Sequence, residues 1–98
     1  MTIKLITFKT NQTLIGDLTP KGDNVIIKKP VQVIVQPTKD GPAMGFIPFL
    51  EYSEEFDTGI TFYSQDILTI NTPVTELTNE YNKMFGSGIQ IASAIPKF

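Results

Sequence analysis

The 98-residue chain has no cysteine and no histidine, and its eight lysines face ten acidic residues for a formal net charge of −2. That length gives one compact domain, residues 1–98, burying roughly 60–65% of its unfolded-chain surface. It excludes a second domain, and the composition excludes disulfides or thiolate-held zinc as supplements to the core. The charge excludes a protein that coats nucleic acid through positive charge alone, because such affinity comes from many lysines and arginines displacing counterions.

The first nine residues, Met1 to Lys9, lack the unbroken apolar stretch of a secretory signal, because Lys4 and Lys9 interrupt it. No apolar run approaches the ~18 residues of a membrane span. A cytoplasmic location without a membrane partner is the expectation. β-Branched and aromatic residues then cluster in short runs divided by Gly, Pro, Asn and Asp, which predicts consecutive antiparallel strands. Ile3–Lys9 and Thr13–Leu18 read as a hairpin about Thr10-Asn11-Gln12, with Leu14, Gly16 and Leu18 on one face. A break at 19–24 contains Pro20 and Gly22, and a long strand follows over Val25–Val35. Pro30 inside that strand predicts an edge or a bulge, hence a strongly curled sheet.

Residues 36–42 read as a loop, and Gly45–Tyr52 as the fourth strand. Glu51, Glu54, Glu55 and Asp57 form an acidic patch without the spacing or glycine of a calcium loop, so no metal site is expected there. Ile60–Tyr63 and Ile67–Ile70 read as strands about the polar turn Ser64-Gln65-Asp66, so six strand segments lie within a core over residues 1–70 that is expected to be five-stranded. A helix is predicted over 72–85, with Thr72 as N-cap, Pro73 at the first helical position and an apolar stripe of Val74, Leu77, Tyr81, Met84 and Phe85. Gly86 is placed to close it, and the apolar tail 86–98 is a candidate for docking on a neighbour.

Charge is divided unevenly along the chain. Through Lys39, six lysines face Asp17 and Asp23, leaving +4; beyond it, two lysines face eight acids, leaving −6. Such asymmetry fits ordinary solvated faces, complementary subunit patches or a local basic rim. Catalytic chemistry is poorly supplied, since the commonest general base and the best nucleophile are both missing. Gly41-Pro42-Ala43-Met44-Gly45 lacks the lysine and hydroxyl of a phosphate loop, and Asp17, Asp23 and Asp66 sit where turns and surfaces use aspartate. No catalytic residue, metal or cofactor is assigned, and the chain reads as a binding protein, not an enzyme.

The order of elements brings a family into view. Leu5–Lys9, Thr13–Leu18 and Asp23–Ile27 resemble the first motif of the Sm-like family, with Gly16 at the strand-two glycine and Asn24 at the loop asparagine. Ile60–Ile70 is similar to the second motif, with Tyr63-Ser64 where the family usually carries Arg-Gly or Lys-Gly. The whole is similar to divergent Sm-like proteins of marine cyanophages.

The resemblance implies a small, strongly bent, five-stranded antiparallel barrel with one C-terminal helix, assembled edge to edge into a homo-oligomeric ring. It further implies a nucleic-acid site, for RNA or single-stranded DNA, at Lys21, Gly22, Asp23, Asn24, Tyr63, Ser64 and Gln65. In that site Asn24 would meet a base edge, Lys21 a phosphate and Tyr63 a base face. The residues also allow blander readings, with Gly22 and Asn24 as a plain turn and Tyr63 as packing. The expected function is RNA binding in RNA or DNA processing; the alternative is a protein-interaction or virion-associated scaffold.

Overall fold

The computed structural model describes residues 2–85. Six strands and two helices follow one another: β1 Ile3–Phe8, β2 Thr13–Lys21, β3 Asn24–Thr38, β4 Gly41–Pro48, α1 Glu55–Thr58, β5 Ile60–Tyr63, β6 Ile67–Asn71 and α2 Thr75–Phe85. A 3₁₀ turn, Ser64–Asp66, joins β5 to β6. All strand pairs are antiparallel, in the order β4-β3-β2-β1-β6, and β5 pairs with β3. The mainly β fold with a C-terminal helix is as expected, and the six segments read as strands each form one, which is one more than the expected five-stranded barrel holds. The sheet is not closed: among the described residues no ladder joins β5 to β6.

The long strand β3 organises the sheet. One edge pairs with β2 from Asn24 to Gln32. The other is shared end to end by β5, opposite Asn24–Ile27, and β4, opposite Val31–Thr38. Between these two halves lies the bulge that Pro30 predicts. Ile15 faces Val31 and Asp17 faces Lys28, so Gly16 alone opposes Lys29 and Pro30. Lys29 takes a φ of 50°, the left-handed conformation found at the first residue of one class of bulge.

An extra residue reverses the side-chain alternation of everything beyond it. Before the bulge, Val25 and Ile27 enter the inner core with Ile6, Phe8, Leu14 and Leu18. After it, Val31 and Val33 join a second core on the opposite face, with Ile15, Phe46, Leu77 and Tyr81. The same strand thus supplies both layers, and α2 covers the second.

Gly16 permits the close approach at the crossover, since a Cβ there would lie 2.5 Å from Ile27 Cγ2 and 3.1 Å from the Lys28 carbonyl. Tyr81 of α2 reaches the bulge: its hydroxyl donates to the Lys29 carbonyl at 2.8 Å, with the Lys28 carbonyl at 3.3 Å as the longer arm of the same bifurcated bond. Burial, with a smaller contribution from Asp17, pushes the Tyr81 phenol well above its ordinary range.

Four boundaries differ from the sequence reading. The break expected at 19–24 narrows to Gly22-Asp23, because β2 and β3 stay paired through Pro20 and Val25 to Lys21 and Asn24. The segment expected as a loop at 36–42 is mostly hairpin, because β3 and β4 remain paired out to Thr38 and Gly41. Pro37 faces Pro42 next to that closing pair, at a position where the ladder asks for neither N–H. The fourth strand ends at Pro48, short of Tyr52, as Leu50 turns into the left-handed region at φ 58°. The helix begins at Thr75: the Val74 carbonyl accepts from Leu77 N–H and Thr78 N–H, both at 3.1 Å. Thr72 therefore does not cap it and instead accepts a hydrogen bond from Lys4 Nζ at 3.0 Å. Val74, left outside, is exposed and leaves the apolar stripe. Gly86 and the tail 86–98 lie outside the described residues.

Tyr81→Phe is expected to cost about 0.5–1.5 kcal/mol in urea unfolding, the net value of the hydrogen bond lost. Gly16→Ala is expected to cost about 1–3 kcal/mol by overpacking against Ile27. Because folding holds the Tyr81 proton more tightly than the unfolded chain does, stability is complete below ~pH 10, the unfolded phenol value, and declines as pH rises beyond it. A urea titration series should show that alkaline decline diminished in Tyr81→Phe.

Candidate functional site

The β2–β3 connection is the two-residue turn Gly22-Asp23, flanked by the pair Lys21 and Asn24. Gly22 has φ 60° while Asp23 does not enter positive φ. Glycine at the first central position of a hairpin turn is the arrangement that matches the twist of the flanking strands. β3 starts at Asn24, which faces Tyr63, the last residue of β5. The chain then enters the 3₁₀ turn, whose first N–H groups have no partner within the turn itself.

Asn24 and Asp23 meet that need. Ser64 N–H donates to Asn24 Oδ1 at 3.4 Å, and Ser64 Oγ donates to the Asp23 carbonyl. Two segments some forty residues apart are thereby joined, and all seven residues expected from the sequence lie in one surface cluster. Lys21, Asp23, Ser64 and Gln65 are exposed and Asn24 is half-buried. Tyr63 is 56% exposed, so most of its ring face is open to a ligand. Asn24 spends its carbonyl oxygen on Ser64, which leaves its amide NH₂ as the group free to meet a base edge. Among the described residues the ion pair is Lys83 with Glu80, so Lys21 is not tied to a carboxylate.

Beside this cluster lies a groove the sequence reading did not identify. It has a volume of about 390 Å³ and is floored by Phe8, Phe49 and Phe62, with Tyr63 at one side and Lys9 and Asp66 on its rim. Each phenylalanine reads in the sequence as an ordinary core residue. What assembles them is the unclosed seam between β5 and β6, which no local pattern announces. The acidic residues 51–57 fall in the turn before α1 and in α1 itself, and among the described residues no group of three acidic side chains is placed to hold a metal ion.

A comparison with protein-family models finds no match, and none is found among curated proteins. The reading of the site therefore stands on its own residues. Asn24→Ala should remove the acceptor that holds the 3₁₀ turn. The expected result is faster hydrogen exchange at the Ser64 amide and a stability loss of about 0.5–1.5 kcal/mol.

Proposed function

We propose that this chain acts by binding and not by catalysis, as a divergent Sm-like subunit of a homo-oligomeric ring that holds single-stranded RNA. The observation that carries the reading is the joining of Lys21–Asn24 to Tyr63–Gln65 through Ser64, with an unpaired lysine, a free amide and an open aromatic face side by side. Those are the three contacts a single strand offers: phosphate, base edge and base face. The strand order, the bend at Gly16 and Lys29-Pro30, and the 3₁₀ turn between β5 and β6 support an Sm-like architecture whose sheet curls toward a barrel.

Ring assembly draws support from sheet edges that have no partner strand among the described residues. The outer edge of β4 and the outer edge of β6 bear no charged residue, and charge is a usual guard against edge pairing. Exposed apolar side chains stand on both elements: Met44 and Ile47 on β4, Leu68 and Ile70 on β6. Pairing β4 of one copy with β6 of the next is a head-to-tail contact, which closes into a ring when the rotation allows. The same edges favour the second reading, a protein-interaction or virion-associated scaffold whose edges take another protein.

Fluorescence anisotropy with short single-stranded RNA and DNA at several salt concentrations, with mass measured on the same sample, tests the proposal. The expected result is a closed oligomer that prefers RNA and binds with a negative salt slope, made shallower by Lys21→Ala. Tyr63→Ala should weaken binding by about 1–3 kcal/mol, the value of one stacked base, without dissociating the oligomer. Unchanged affinity in both variants overturns the site, and an oligomer that binds neither nucleic acid favours the scaffold.

A further inference from the structure

The open seam of the sheet exposes aromatic surface that a closed sheet would bury. Phe8 and Phe62 meet with ring centroids 5.2 Å apart, Phe62 and Phe49 at 6.1 Å, and these tilted rings floor the groove. Leu50 forms its lip. That leucine is held at φ 58°, a region an aliphatic side chain rarely adopts, and its side chain remains 53% exposed. Hydrogen bonds on both sides fix it there: Phe49 N–H to the Pro30 carbonyl at 2.9 Å, and Ser53 N–H and Oγ to the Leu50 carbonyl at 3.0 and 2.9 Å.

An apolar residue is therefore held in an unfavourable conformation at the mouth of a groove, where it gains little burial of its own. Backbone strain that packing does not repay is a mark of ligand sites. The chemistry of the walls narrows the ligand. The floor is aromatic and the rim is polar, with Lys9, Gln12 and Asp66 around it. A flat ring with polar edges matches both the aromatic floor and the polar rim. Tyr63 lines the groove and also pairs with Asn24, so one side chain joins the groove to the turn cluster.

We propose that the groove receives a nucleobase of the bound single strand, lying on the aromatic floor under Leu50, with Lys9 beside its phosphate and Gln12 and Asp66 at its polar edge. This rests on the nucleic-acid reading above and adds to it a second base site, reached past Tyr63. The discriminating variant is Leu50→Asn, because asparagine tolerates the left-handed region yet removes the apolar lip.

The full chain is titrated with adenosine monophosphate and, separately, with a single-stranded RNA hexanucleotide, following the aromatic NMR signals of Phe8, Phe49 and Phe62. Both ligands should shift those signals, and Leu50→Asn should weaken both by about tenfold, the loss of part of one stacking contact, with thermal stability kept or raised. If the hexanucleotide binds wild type and Leu50→Asn equally and the phenylalanine signals stay still, the groove proposal falls while the nucleic-acid reading stands. If the monophosphate binds in the groove and the hexanucleotide binds nowhere, the base site stands and the strand reading falls. If neither binds, both fall, and the groove is left to an aromatic side chain of another protein.

Discussion

The fold depends on one crowded point, where Gly16 of β2 faces two residues of β3 in place of one. Without the extra residue, Val31 and Val33 would point to the same side as Val25 and Ile27. The outer face would then lose the apolar surface on which α2 rests. Because the bulge reverses the alternation midway, a single fifteen-residue strand serves an inner core in its first half and a helix-covered core in its second. The cost of the bulge is a residue left out of the ladder, the lysine at positive φ. Tyr81 offsets part of that cost by donating to the Lys29 carbonyl from a buried position. Helix, bulge and glycine are thus mutually dependent: α2 needs the reversed face, and the reversed face needs a donor from α2.

The same division of β3 prepares the surface cluster. Its far edge accommodates two short partners, β5 and β4, because the chain between them leaves the sheet to form the turn at 49–54 and α1. β5 is consequently brought back against the beginning of β3. Tyr63 then faces Asn24, and the 3₁₀ turn that follows is held by the β2–β3 turn. The hydrogen bonds of Ser64 are few and exposed, so each is modest in energy. They position an already placed backbone; the ladder between β5 and β3 supplies the stability. Further along, where β5 and β6 do not pair, the inner core opens to solvent and its phenylalanines become the floor of a groove.

Much of this was legible in the residues. Hairpins announced themselves by Asn11 and by Gly22, since positive φ favours those residue types. Pro30 marked the bulge because proline cannot donate to a ladder. The seven site residues were chosen through a resemblance, and the structure brings them into one cluster. The failures are as instructive. Thr72-Pro73 has the composition of a helix start, yet Lys4, sixty-eight residues away, uses the threonine hydroxyl, and the helix opens two residues later. Residues 36–42 are rich in turn formers but remain paired, because Pro37 and Pro42 fall opposite each other where no N–H is needed. Local propensity was outweighed in the first case by a partner distant in the chain and in the second by the register of the hairpin.

The sequence by itself determined the strand-rich class, the positions of the turns, the bulge and the amphipathic character of α2, because these follow from the conformational limits of glycine and proline and from local apolar periodicity. Only the tertiary structure decided the sharing of one edge of β3 by β4 and β5, the partnership of Tyr81 with the bulge, and the open seam with its aromatic groove. Each of these depends on which backbone groups and apolar faces are left without a partner once the rest of the chain has folded, and that is a property of the whole arrangement and of no single segment.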